Sequence, residues 1–288
     1  MSRRRISRRH LEERFFKVLM TISFSLIVFC LGYILCTILV KGLPALRWSM
    51  LTQVPTGNHN PDQEGGILNA ILGSIYLAGG GTLLAILAGL PLALFIKVYG
   101  ARSAWVKFIR LALDVLWGIP SIVYGAFGFL VMLALGLRAS LLSGIITLAF
   151  LEFPIMVRAM DEVVQLVPEE LEQASLALGL TRLEYALRVM VRQALPGLIT
   201  GILLGFGRGI GDAASVLFTA GYTDRIPTSL LRPVASLPLA IYFQLNTPYP
   251  AIQKMAYSAA LILTVIILIV SLGSRCLANR LNKYIVRS

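Results

Sequence analysis

Hydrophobic residues in this chain come in long unbroken blocks rather than in an alternating rhythm. Residues 18–40, 67–96, 115–137 and 255–273 hold no charged side chain over 23, 30, 23 and 19 positions. Residues 139–157 hold only Glu152, and residues 194–222 hold only Arg208 and Asp212. A helix rises about 1.5 Å per residue, so each block is long enough to cross a hydrocarbon core of roughly 30 Å. The pattern predicts an all-α membrane protein with six transmembrane helices. Pro120 and Pro154 fall inside blocks, where proline kinks a helix and opens space beside it.

The polar segments between the blocks set orientation. Lys and Arg number 7, 2, 4, 1, 4, 3 and 4 in the successive segments outside the spans, beginning with Arg3, Arg4, Arg5, Arg8, Arg9, Arg14 and Lys17. The positive-inside rule then places both termini in the cytoplasm. The chain divides into a basic cytoplasmic arm (1–17), a first span with an extracytoplasmic loop (18–66), a core of five spans (67–279) with a long cytoplasmic loop (161–196), and a cytoplasmic tail (280–288). Two outer connections are long and proline-rich, 41–66 and 222–254. The second contains an apolar stretch, 237–245, suited to a short re-entrant or interfacial helix.

Composition supports the membrane reading and narrows the chemistry. The chain of 288 residues is 57% hydrophobic and 14% charged, with a mean hydropathy of +0.79; soluble domains carry about 25% charge. The net charge of +12 is mostly the topology signal, and anionic headgroups are a nearer partner for it than nucleic acid. Cys30, Cys36 and Cys276 lie in or beside spans with no metal or redox spacing, and His10 and His59 are the only histidines. This predicts no metal site, no cofactor and no catalytic centre in the chain. No G-x-x-x-x-G-K-[ST] motif occurs, so ATP is not bound in that way, and the glycines at 79–81 lie inside a span and form no phosphate loop.

The charges inside the spans are the candidate site. A charged group at mid-bilayer costs about 2.5–3.5 kcal/mol on insertion scales, so Arg208 marks a pathway or a binding site by default. The bland alternative is an i,i+4 ion pair with Asp212 that only holds the bundle. Arg158 stands near the inner boundary, either snorkelling to headgroups or forming a second rung. Glu152 is placed to pair with a basic residue of a neighbouring span, Arg208 among them. Asp114 is expected to pair with Arg110 one turn before it. Gly197, Gly201, Gly205 and Gly209 put a small residue at every fourth position, a close-packing seam.

The cytoplasmic loop has its own grammar. Pro168-Glu169-Glu170 suits a helix start, Gly179 a left-handed C-cap, and Thr181 with Glu184 a capping box for a second helix. Leu183, Ala186, Leu187, Met190, Val191 and Ala194 recur as one helical face. Two short helices are therefore expected to meet at Leu178-Gly179-Leu180. They form either an amphipathic hairpin on the lipid surface or a docking element for another protein, and the apolar knob of Leu178 and Leu180 leans to docking.

Residues 173–179, Gln-Ala-Ser-Leu-Ala-Leu-Gly, resemble the E-A-A-x-x-x-G motif of ABC-importer permeases. Gln173 and Ser175 replace a Glu and an Ala of that motif, and Arg192 stands where many members have Pro. Longer runs are similar to the phosphate-specific permeases, the PstA and PstC pair: residues 114–125 (DVLWGIPSIVYG), 153–158 (FPIMVR), 201–220 (GILLGFGRGIGDAASVLFTA) and 231–242 (LRPVASLPLAIY). The ending Leu217-Phe218-Thr219-Ala220 points to PstA, and 119–125 leans towards PstC. Asp212 replaces the family's usual Glu. The resemblance implies a type I ABC-importer permease architecture and import of inorganic phosphate across the bacterial cytoplasmic membrane. It implies a substrate pathway through Arg208, Asp212, Arg158 and Glu152. It implies ATPase coupling through Gln173, Ala174, Leu178, Gly179, Leu180, Thr181 and Arg182, and a glycine seam that also suits the interface with a second permease. The implied partners are a PstC-like permease, a PstB-like ATPase dimer that uses the ATP, and a PstS-like extracytoplasmic phosphate-binding protein. A permease for phosphonate, sulfate or molybdate, and a membrane sensor subunit without transport, stand as alternatives.

Overall fold

The computed structural model describes residues 2–55, 65–100 and 103–281, with side chains from residue 12 onward. Among the described residues every regular element is helical. The long helices are α1 (Ser2–Gly42), α3 (Leu68–Val98), α6 (Leu141–Gln165), α9 (Val191–Ile210) and α11 (Pro250–Leu281). Shorter ones are α2 (Trp48–Thr52), α4 (Ala104–Trp117), α5 (Ser121–Ala134), α7 (Glu169–Ala177), α8 (Arg182–Glu184) and α10 (Leu237–Leu245). Five helices are long and apolar enough to span, and α4 with α5 make a sixth only as a broken pair. The side chains of the basic arm before residue 12, the loop positions 56–64, Arg102 and the tail beyond residue 281 lie outside the described residues.

Helix α6 is the axis of the bundle. It packs along α3 and α9, with α4 and α5 on a third side. Met156, Met160, Tyr185, Met190, Ala194 and Leu198 form the inner core. Leu77, Leu141, Leu148, Val216, Ala220 and Leu239 form the outer one. Pro154 is accommodated within α6 without ending it. Helix α1 stands apart with its apolar side chains exposed along its length. It is clipped to α11 at its outer end, where Ser258 Oγ donates to the Gly42 carbonyl at 2.8 Å. The short outer helix expected at 237–245 forms as α10 and is buried on its Leu237–Leu239 side.

Three expectations change. The block 115–137 is not one continuous helix: α4 and α5 meet at 104°. Gly118 ends α4, and Pro120, with ψ 139, is extended and opens α5. A proline with a glycine two residues before it thus makes an elbow instead of a kink. The block 194–222 is helical only to Ile210; residues 211–220 run on as successive turns. The Asp212 carboxylate accepts the Ser215 N–H at 2.8 Å, a local bond that competes with helix continuation. Irregular backbone is tolerated at this depth because it is enclosed by protein: Ser215, Val216, Thr219 and Ala220 are buried. Finally, the face Leu183–Ala194 does not bury as one stripe. Residues Tyr185–Met190 form a π-helical turn, whose i→i+5 bonding rotates the next helical turn out of the expected phase. Tyr185, Ala186 and Met190 go inside, while Leu183 and Leu187 stay exposed.

Candidate functional site

Arg208 sits on the last turn of α9, exposed to a cavity of about 240 Å³ lined by Leu116, Trp117, Ile119, Tyr124, Leu151, Ile155 and Leu204. The elbow between α4 and α5 contributes Leu116, Trp117 and Ile119 to one wall, and Leu151 and Ile155 of α6 contribute to another. Helix α5 starts between Ile119 and Tyr124, and its N-terminus carries no side-chain cap. Its first N–H groups carry the positive end of the α5 dipole. No carboxylate lines the cavity.

Asp212 is not Arg208's partner. Helix α9 ends between them, so the i,i+4 geometry is lost, and the Asp212 carboxylate is held by Ser215 instead. Among the described residues no ion pair joins the two. Glu152 does not line the cavity either. It is fully buried in α6, where Oε2 accepts from Thr82 Oγ1 at 2.6 Å and Oε1 has no partner. Its carboxyl rests on Gly209, where a Cβ would fall on Oε1. The glycine seam runs within the chain: Gly197, Gly201, Gly205 and Gly209 face Val163, Ala159, Met156 and Glu152 of α6 in turn.

Arg158 is in a different place. Its Nε lies 3.3 Å from both Asp114 Oδ1 and Glu162 Oε1, within an open cleft of about 900 Å³ that also exposes Lys107 and Arg110. The expected Arg110–Asp114 pair is replaced by a crossed arrangement. Arg110 donates from Nε and Nη2 to fully buried Asp161 at 2.9 and 3.2 Å, and Asp114 turns to Arg158. Side by side, these pairs staple α4 along the cytoplasmic half of α6. Sequence spacing favoured the local i,i+4 pair; only the antiparallel run of α4 on α6 brings the long-range partners within reach.

The cytoplasmic hairpin follows its sequence signals closely. Leu178 caps α7, and Gly179 adopts φ +87, a conformation that suits glycine because it lacks Cβ. The Gly179 N–H reaches the Leu176 carbonyl, and the Leu180 N–H reaches that of Ser175 at 3.1 Å, the paired bonds of a Schellman cap. Thr181 and Glu184 form the capping box. Gln173, Ala174, Leu178, Gly179, Thr181 and Arg182 are exposed and Leu180 is half-buried. Leu178 is 82% exposed and Leu166 81%. Beneath them Tyr185, which sequence periodicity did not single out, is fully buried and anchors the hairpin to the inner core. Among the described residues no group of three or more His, Cys, Asp or Glu side chains is arranged to hold a metal.

Solved transporters share this build. The chain superposes on the MetNI methionine ABC transporter in an inward-facing conformation with a TM-score of 0.62, at 15% identity, covering 75% of this chain and 95% of that one. An amino acid ABC transporter gives 0.56, at 17% identity over 74% and 93%. The fold is thus that of a membrane-embedded permease of an ABC importer. In sequence, residues 81–283 match the binding-protein-dependent transport system inner membrane component family. The phosphate transport system permease protein PstA of Xylella fastidiosa (strain 9a5c) is 37% identical over 249 residues, 85% of this chain and 84% of that protein. PstA of Haemophilus influenzae (strain ATCC 51907 / DSM 11121 / KW20 / Rd) is 32% identical over 254 residues, 88% and 89%. The chain belongs to this family of inner-membrane transport components, within the group of PstA permeases. It is a multi-pass subunit that works with other components of an ABC transporter.

Proposed function

We propose that this chain is the permease subunit of an ATP-driven importer that moves inorganic phosphate across the cytoplasmic membrane, with Arg208 holding the anion in transit. The observation that carries the reading is a guanidinium with no ion-pair partner among the described residues, in a cavity with no acid in its lining. A guanidinium offers a planar fork of donors matched to two oxygens of a phosphate. The names of the PstA relatives supply phosphate as the anion.

In this reading a PstC-like permease completes the pathway, a PstS-like protein delivers phosphate from outside, and a PstB-like ATPase dimer docks on the hairpin around Leu178. ATP is bound and hydrolysed by that dimer. Exposed Leu166 and Leu178 supply the apolar contact, and the Schellman cap and capping box keep the hairpin rigid enough to transmit force.

The test is phosphate uptake by the reassembled transporter in proteoliposomes, with Arg208→Gln beside the unaltered chain. Losing two charge-assisted hydrogen bonds of about 1.5–3 kcal/mol each corresponds to a fall on the order of a hundredfold or more. Arg208→Lys, which keeps charge but not the fork, should fall between. Normal uptake by Arg208→Gln would sink the assignment. Stronger inhibition by sulfate, molybdate or a phosphonate than by unlabelled phosphate would transfer it to another oxyanion.

A further inference from the structure

A buried carboxyl without a cation and a cavity cation without an anion lie on adjoining helices, Glu152 against Gly209 and Arg208 one residue before it. Glu152 is fully buried; its only bond is from Thr82, and Oε1 is unpartnered. Among the described residues no cation pairs with it. Arg208 is the residue before Gly209, whose Cα lies against that carboxyl. Its cavity is walled by Leu151 and Ile155, which flank Glu152 on the same helix. Burial without a cation holds the Glu152 carboxyl neutral, and an unpaired guanidinium inside a span is costly; bringing the two together favours the ion pair, the carboxyl's proton passing to solvent in the cavity.

We propose that Glu152 is the alternate counter-ion of Arg208: a positioning residue whose carboxylate takes the guanidinium when the transported anion leaves it. The inference rests on the reading of Arg208 as the anion's ligand.

The geometry supplies the motion this needs. Successive residues on a helix are about 100° apart, so a part-turn of α9 that moves Gly209 off the carboxyl carries Arg208 towards it. Helix α9 is built to turn as a unit. It is preceded by the π-helical turn Tyr185–Met190 and ends at Gly211, after which the chain is irregular. Its α6-facing side is glycine at positions 197, 201, 205 and 209, so α9 presents no side chain there, and the Val163, Met156 and Glu152 side chains of α6 that seat on those glycines are what must shift as α9 turns. The hairpin that carries Leu178 connects directly into the π turn, so a push there is delivered to α9. In the present conformation the carboxylate is withheld and Arg208 faces the cavity, open to an oxyanion. In the turned conformation the carboxylate would compete for the same donors, so the ion pair and the bound oxyanion exclude one another at Arg208.

The experiment is a comparison of kcat and KM for phosphate uptake in the reassembled transporter with Glu152→Gln, Glu152→Asp and Arg208→Gln. Glu152→Gln keeps the volume and the Thr82 bond. The expected result is a kcat lower by about tenfold or more with KM unchanged or lowered, and a partial return of kcat in Glu152→Asp. A packing role alone predicts no such split, and a Glu152→Gln transporter with unaltered kcat overturns the inference. If Arg208→Gln transports normally, it is the phosphate reading that fails. If it loses uptake while Glu152→Gln does not lose kcat, only the counter-ion inference fails. A second measurement does not depend on transport. With Cys30, Cys36 and Cys276 replaced, the pair Glu152→Cys and Arg208→Cys should cross-link at different rates in the vanadate-trapped and nucleotide-free complexes, since a disulfide needs Cα atoms within about 7 Å. Equal rates in the two states overturn the inference even where the glutamine variant fails to assemble.

Discussion

The seam between α6 and α9 sets a graded cost for adding one methyl group along a single helix face. A Cβ at Gly201 meets the Ala159 Cβ at 3.2 Å, one at Gly205 falls on the Met156 side chain, and one at Gly209 falls on the Glu152 carboxyl. Replacing glycine by alanine inside a helix gains about 1 kcal/mol in propensity. At Gly201 a shift of a few tenths of an ångström absorbs the contact, so Gly201→Ala should be neutral or slightly stabilising. At Gly205 the flexible thioether must swing aside, and overpacking of about 1–2 kcal/mol leaves a small net loss. At Gly209 the carboxyl must leave its place and give up the 2.6 Å bond from Thr82. Breaking that buried bond and leaving its partners unsatisfied costs about 1–3 kcal/mol and overpacking adds about 1–3. Net of the helix gain, Gly209→Ala should cost about 3 kcal/mol, on the order of a hundredfold in the unfolding equilibrium. Reversible unfolding of the purified chain in mixed micelles, titrated with a denaturing detergent, measures the series. Because the clash has one named partner, Glu152→Ala in the Gly209→Ala background should recover more than half of the loss. The released Thr82 hydroxyl can then bond a carbonyl of its own helix. A Gly209→Ala chain as stable as Gly201→Ala, or one not rescued by removing the Glu152 carboxyl, would refute the packing argument.

Two further outcomes are expected beyond those of Arg208 and Glu152. Asp161→Ala strands the Arg110 guanidinium, which is 33% exposed and so partly rescued by water. The cost should be about 2 kcal/mol, below the 3–5 of a fully buried pair. It should appear as faster hydrogen exchange in α4 with α6 unchanged, and equal exchange in α4 would count against the staple. Leu178→Asp places a charge on an exposed knob that supports no core, so the chain should insert and unfold normally while co-purification of the ATPase subunit is lost. Retained co-purification would move the docking surface elsewhere.

Hydrophobic blocks and charge alternation were enough to locate five spans, and local capping chemistry was enough to place the hairpin almost to the residue. Both depend on short-range physics: the cost of exposing backbone to lipid, and side chains that bond to neighbouring backbone. The elbow at 118–120 was readable only as a kink, because Gly118-Ile119-Pro120 says that the helix is interrupted but not by what angle; the angle comes from α4 lying along α6. The crossed pairs Arg110–Asp161 and Asp114–Arg158 are a consequence of that same packing and have no sequence signature. The face predicted from Leu183 to Ala194 failed because a single π turn changes the period, and nothing in the residue types of Tyr185–Met190 marks it. Tyr185 was missed for this reason, although a tyrosine inside an amphipathic cytoplasmic helix was the available cue.

Asp212 shows how the largest revision bears on function. Spacing of four residues made it the natural partner of Arg208, and with that partner Arg208 would be a neutral strut. The run Gly207-Arg208-Gly209-Ile210-Gly211 is a poor helix interior, since each glycine costs about 1 kcal/mol relative to alanine. Asp212 then offers the backbone a competing bond at Ser215. The helix ends where propensity and capture act together, and the spacing loses its meaning. Gly209 also closes the seam with α6, so close packing and termination of α9 meet at that residue. An unpaired Arg208 therefore arises from the local sequence as much as from the bundle, and it leaves the donors free for an oxyanion. Restoring helix by Gly211→Ala with Asp212→Ala should extend α9 and carry the chain past Ser215. Loss of uptake with Arg208 intact would then show that the break, and not the charge alone, makes the site.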